Sequence, residues 1–314
     1  MSQAIEKDNL TVIVNESKFK DSYIDRDKAH NRAKRRVIFS KAANILFSLT
    51  IIFALSVLAL LLIQIIQKSI GWLDWQFLIS KLSIRAEKAG ILGVIIGSVL
   101  LIVVVAPVTL FIGIATAIYL EEYSKKGRIQ SLIMTNISNL SSVPSVIFGM
   151  LGLTVFGRLF GLKASILAGG LTLSLLVLPI IIVACQEAIK AVPKNLKEAS
   201  YGLGASKWTT VRKVVLPTAL PGIMTGCILA LSRAIGETAP LVVLGIPTLI
   251  LKLPTGLMDD FTALPIQIYY WTLDTVLTKE YANLAAATIV VLLTLLFLMN
   301  SIAIFIRNKY QRRY

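Results

Sequence analysis

The sequence holds a single histidine, His30, and only two cysteines, Cys185 and Cys227. His30 stands in a polar N-terminal stretch, where a solvated side chain is the expectation, so no histidine-based catalytic or metal centre is predicted. The cysteines lie in separate apolar segments with neither metal-binding nor redox spacing, which leaves a disulfide framework unsupported. A GxxxxGK[ST] phosphate loop is also missing: GLGASKW, residues 202–208, lacks both its spacing and its end. The chain is therefore not expected to bind and hydrolyse ATP by that route, and any ATP-derived energy has to come from a separate subunit. Charge is scarce as well, at 16% of residues against about 25% in an ordinary soluble domain. Glu237 is the only acidic residue deep inside an apolar stretch. An intramembrane enzyme needs two convergent carboxylates or a nucleophile with its base. No catalytic residue, metal ligand or cofactor is accordingly expected.

Apolar text fills the space these absences leave. Of the 314 residues 56% are hydrophobic, and the mean hydropathy is +0.77. An all-α polytopic membrane protein is the reading, because only helices that satisfy their own backbone, or closed barrels, cross hydrocarbon. A spanning helix needs about 20 mostly apolar residues. Six segments meet or approach that length, at about 42–66, 91–118, 133–157, 165–185, 219–247 and 284–306. The third and fourth are interrupted by Pro144, Gly149, Gly152, Gly157 and Gly161, a pattern that suits short, tilted or broken helices. Residues 1–41 read as a cytoplasmic tail, largely disordered and without a cleavable signal peptide, and residues 42–314 as the membrane domain. Glycines such as those of GVIIG, Gly93 to Gly97, recur at the spacing that lets helix backbones approach closely.

The formal charge is +15. The basic residues cluster between apolar runs rather than along one exposed stripe, which argues against nucleic acid as a partner. With six spans, 23 of the 32 lysines and arginines fall on the side holding both termini and the 119–131 and 186–218 loops, and 8 on the other. The last is Arg233, within the fifth span. The positive-inside rule then puts both termini and the 186–218 loop in the cytoplasm of a multi-pass membrane protein. A charge at the bilayer centre costs roughly 2.5–3.5 kcal/mol on insertion scales and normally faces an interior or a water-filled path. Arg233 and Glu237 are four residues apart, on one face of a continuous helix and within reach of an ion pair. They are the candidate substrate path for an anion, since guanidinium forks match phosphate oxygens. A purely structural pair that locks helices together is the alternative.

Between the fourth and fifth spans, Lys194 to Gly222 is too long for a connector. Apolar residues at helical spacing on either side of Gly202 and Gly204 predict two short helices. Such helices could lie on the membrane surface or enter a partner's groove, and the residues alone leave both open. Glu198, Ala199 and Ser200, then Gly204, then Val214, Leu216 and Pro217, resemble in type and spacing the EAA motif of the permease subunits of binding-protein-dependent ABC importers. Ser200 stands where that motif usually has a second alanine. SSVPSVIFGMLGL (141–153), LTLSLLVLPIII (171–182), LPTALPGIMTGCILALSRAIGETAPL (216–241) and MNSIAIFIRNKYQRR (299–313) are similar, more narrowly, to the PstA-type permeases of phosphate importers. The likeness runs from about residue 90 to the C-terminus. It implies a type I ABC importer permease fold and a transmembrane channel-forming subunit for inorganic phosphate. The alternative within that fold is another oxyanion: sulfate, molybdate or phosphonate. It also implies a coupling loop at about 194–217, in which Glu198, Ala199, Gly204, Leu216 and Pro217 meet an ATPase. The implied partners are a PstC-like permease, two ATP-binding subunits, an extracytoplasmic phosphate-binding protein and membrane lipid.

Overall fold

The computed structural model describes residues 26–125, 127–250 and 252–310. Most of the expected tail, residues 1–25, lies outside the described residues. Two units divide the chain, ending and beginning at Gln64 and Ile65. The first consists, where described, of most of helix α1, Arg26–Ser69, whose part from Lys34 is apolar and long enough to cross a bilayer.

The second unit is a helical bundle. Its long members are α3 (Leu92–Ile118), α6 (Ile166–Lys190), α9 (Leu216–Gly236) and α12 (Glu280–Tyr310). The shorter ones are α2 (Trp75–Ile79), α4 (Arg128–Leu140), α5 (Ser145–Leu151), α7 (Lys194–Gly202), α8 (Lys207–Thr210), α10 (Ala239–Val243) and α11 (Leu264–Asp274). Among the described residues five helices are long and apolar enough to span, or six if the bent pair α4–α5 counts as one. Among the described residues the only β pairing is one antiparallel bridge, Ser165 to Asp260.

Two segments differ from their sequence expectation. The third span is broken: α4 and the helix from Ser145 to Leu159 meet at 99°. Pro144, which lacks an amide proton, occupies the N-cap position of α5 and stops a straight continuation. The fourth span is not broken, and α6 runs unbroken from Ile166 to Lys190. Gly157 and Gly161 belong to the end of the third segment instead, and Gly161, at φ +69°, marks the turn out of it.

The core forms where α3, α6 and α9 pack. Val177, Ile181, Cys185 and Ile189 of α6 are fully enclosed. Small residues set the separation. A Cβ on Gly170 would sit 2.5 Å from Val104 Cγ1, and one on Gly226 2.5 Å from Ala184 Cβ. Helices draw that close in lipid because dispersion contact, not water exclusion, holds them together. Free Cys185 and Cys227 are both buried at the α6–α9 level of this core. A second core gathers Phe77, Leu82, Ile91, Leu264, Trp271 and Leu284 at the end of the bundle where α3 and α12 begin. There Asp259 accepts from the amides of Thr255 and Gly256, each at 2.8 Å, and from the Thr255 hydroxyl. These bonds, the Thr255 amide first, hold its carboxyl below the usual carboxylate range.

Three widened π turns interrupt the spans, at Tyr119–Tyr123, Gly152–Leu159 and Val211–Val215. Such turns carry an extra residue per turn and are frequent at functional sites. Two of them lie at the end of the bundle that carries α7.

Candidate functional site

The fifth span begins earlier than its hydropathy suggests. Helix α8 starts at Lys207 and continues through the Val211–Val215 turn into α9 without a break, so the second short helix expected in the loop, with Arg212 and Lys213, is the start of the fifth span. It also ends earlier. Gly236 is the last helical residue, Glu237 is extended at φ −74° and ψ 120°, and the chain turns helical again only at Ala239. The cause is Pro240, which offers no amide to the Gly236 carbonyl and whose ring would crowd it. The single helix over 219–247 is thus two helices with a gap at Glu237 and Thr238.

Arg233 occupies the last turn of α9, where the carbonyl end of the helix favours a cation. Glu237 stands in the gap. Arg233 Nε lies 3.4 Å from Glu237 Oε1 across it, with the arginine side chain 59% exposed and the glutamate 18%. Among the described residues the guanidinium has no other hydrogen bond, so most of its donors remain for a ligand or a partner chain. Gly222, Thr225, Leu229, Arg233 and Gly236 are all exposed and recur every three or four residues, one stripe along α9. Contacts to α12 set the level of this stripe. Ser232 Oγ donates to Asn300 Oδ1 at 2.6 Å, and Arg307 Nη1 to Thr225 Oγ1 at 3.1 Å. Asn300 lies about 9 Å along α12 from Ile306, the last apolar residue before Arg307, at 1.5 Å per residue. Arg233 therefore sits within the apolar depth of the bundle. Asn300 and Thr225 were not singled out from sequence, although a lone asparagine in the apolar run 284–306 was the available signal.

The broken third span supports the gap from behind. Helix α5 packs on α10, and a Cβ on Gly149 would come within 2.7 Å of the Pro240 carbonyl oxygen. The cavity lined by Leu101, Val105, Leu173, Leu231, Ala234 and Ile235 lies on the opposite side of α9 and is almost wholly apolar. An anion buried there would be without partners.

The coupling-loop residues divide into two groups. Glu198 and Ala199 are exposed on α7, none of whose residues is buried. Leu203 caps α7 with its side chain 90% exposed, and Trp208, at the start of α8, is 57% exposed. Gly204, at φ +80°, turns the chain between the two helices, its amide donating to the Tyr201 carbonyl at 2.9 Å. That backbone is what a glycine after a helix C-terminus permits. Among the described residues nothing lies within 4 Å of the Cβ it lacks. Leu216 and Pro217 are elsewhere: both are half-buried in the first turn of α9, and Leu216 packs on the core. Ser200, the departure from the alanine pattern, hydrogen-bonds Thr210 across the turn at 2.9 Å and ties α7 to α8.

A membrane bundle with a charged gap in one span and an exposed two-helix hook at one end is the architecture of a solute permease rather than an enzyme. The family described as binding-protein-dependent transport system inner membrane component matches residues 110–312. The chain belongs to that family and is a permease subunit of an ABC importer of the bacterial inner membrane, working with ATP-binding subunits and a binding protein. It is 36% identical over 206 residues to a probable ABC transporter permease protein, YqgI, of Bacillus subtilis, covering 66% of this chain and 70% of that one. It is 32% identical over 216 residues to phosphate transport system permease protein PstA 1 of Mycobacterium tuberculosis, covering 67% and 70%. Among solved structures, the permease of an alginate importer superposes with a TM-score of 0.59 at 13% identity, over 90% of this chain and 100% of that one. The MetNI methionine transporter does so with 0.55 at 20%, over 69% and 94%. At those identities the likeness speaks for the fold alone.

Proposed function

We propose that the substrate is inorganic phosphate and that Arg233 meets it during passage. The observation that carries this reading is the exposed guanidinium at the interrupted end of α9, within the apolar depth of the bundle and braced by Glu237. Discontinuous helices are a recurrent way for transporters to bring helix ends and charge to a substrate at mid-membrane. A guanidinium bonds a tetrahedral oxyanion through two parallel charge-assisted hydrogen bonds. Glu237 orients it and keeps the empty path from trapping the anion. The PstA-like text over residues 216–241 and the phosphate-permease relatives support phosphate over sulfate, molybdate or phosphonate.

The exposed stripe of α9 then faces a second, PstC-like permease, and the pore forms between the two. Glu198, Ala199 and Gly204 dock one of two ATP-binding subunits, while Leu216 and Pro217 anchor the hook in the bundle. An extracytoplasmic phosphate-binding protein delivers the anion to the opposite end. The distribution of lysine and arginine supports cytoplasmic termini and a cytoplasmic α7. The N-terminal tail of residues 1–41, whose end from Arg26 is the start of helix α1 rather than disordered, lies on the cytoplasmic side of the permease domain at 42–314.

Uptake of labelled phosphate tests the reading. Cells lacking this subunit are expected to lose high-affinity uptake and to regain it when the chain is restored with its partners. Unchanged phosphate uptake in those cells, with loss of uptake for another solute, would overturn it.

A further inference from the structure

The hook formed by α7 and α8 has to be joined to the spans if nucleotide events are to reach them, yet α7 has no buried residue of its own. Among the described residues its one long-range polar contact is to the segment Tyr119–Tyr123, the widened turn that ends α3. Glu122 forms an ion pair with Lys197 of α7, the two residues lying 75 positions apart in the chain. Their side chains are only 7% and 21% exposed. Glu121 Oε1 accepts from Gln186 Nε2 of α6 at 2.6 Å. The Tyr123 ring lies under Lys207 of α8, with Nζ 5.0 Å from its centroid. The Leu120 carbonyl accepts from Gln130 of α4 at 2.8 Å, and the Leu120 side chain is enclosed. Four consecutive residues, Leu120 to Tyr123, therefore touch α4, α6, α7 and α8.

We propose that Tyr119–Tyr123 is the strut through which displacement of α7 reaches α3 and α6, and that the Glu122–Lys197 ion pair is its joint. The inference rests on the reading of α7 as the ATPase-docking helix, and it is independent of which anion is carried. A partly buried ion pair suits such a joint. It holds while both charges are present, whereas removing one partner leaves the other desolvated and unpaired. The widened turn supplies the second requirement, since it can tighten to ordinary helical winding and so gives the strut two discrete lengths. Glu122 and Lys197 act as positioning residues and touch neither substrate nor nucleotide.

The test uses the assembled importer in lipid with its binding protein as purified, and it reads stimulation of ATP hydrolysis by that protein. Lys197→Met is expected to leave the ATPase subunits bound while stimulation falls by about tenfold, and the double variant Glu122→Lys/Lys197→Glu to recover most of it. Lys197→Arg, which keeps the charge and is the milder change, is expected to retain stimulation. Wild-type stimulation in Lys197→Met overturns the proposal. Release of the ATPase subunits by that substitution does so as well, because the pair would then serve docking. An assembled charge-swap variant without recovery, or a complete loss in Lys197→Arg, also counts against it.

Discussion

Arg233→Gln is expected to lower phosphate uptake by about 100-fold, the scale of removing one pre-placed donor to a charged oxygen, while membrane insertion and complex assembly persist. Glutamine keeps hydrogen-bonding capacity but neither the charge nor the fork. Arg233→Lys is expected to recover only a minor part, since an ammonium is a point charge that cannot reproduce two parallel bonds. The 59% exposure of Arg233 in the isolated chain matters here, because a side chain that locks helices of one subunit would be enclosed by them. Uptake and co-purification measured on the same membranes separate the two roles. Normal uptake in Arg233→Gln, or failure of the complex to assemble, would show that the substrate-path assignment of Arg233 is wrong.

The second large effect concerns Gly204→Val. At φ +80° a β-branched residue is strained by about 1–3 kcal/mol, and each 1.4 kcal/mol is tenfold in an equilibrium. Either the turn holds and the strain is borne, or the turn opens and Leu203 and Glu198 lose their common surface. Recovery of ATP-binding subunits with the purified permease is expected to fall roughly tenfold or more. Gly204→Asn gives the control, since asparagine tolerates the left-handed region better than most residues. It is expected to retain assembly because no atom of the described residues approaches the added Cβ. Equal loss in both variants would mean that the partner itself fills that space, and normal assembly in Gly204→Val would reduce Gly204 to a helix stop.

How much of this was legible without coordinates depended on which force set each feature. Apolar length marked the spans at α3, α6 and α12 because hydrocarbon thickness sets it. The ends of the fifth span were not legible in the same way. Arg212 and Lys213 fall in a short helix expected to stand apart from the span, yet that helix runs straight into it beyond the apolar layer, where charge does not oppose winding. Glu237 reads as helical by apolar length, which does not register that Pro240 acts four residues upstream on Gly236. The i,i+4 spacing of Arg233 and Glu237 gave the right neighbours through the wrong conformation, since an extended residue just past a helix end still reaches back to the last turn. Pro144 was seen as an interruption, although the 99° bend it accompanies depends on tertiary packing of α5 against α10. The strut was invisible in sequence, because Glu122 and Lys197 are joined only by the fold.

Reconstitution of the permease pair with its ATP-binding subunits and binding protein in lipid vesicles tests the central claim most directly, by ATP-dependent uptake of labelled phosphate against unlabelled competitors. Phosphate is predicted to enter only with ATP and with this subunit present, and equimolar sulfate, molybdate, phosphonate or amino acids are predicted not to compete. ATP-dependent entry of one of those competitors, with phosphate neither entering nor competing, would contradict the account.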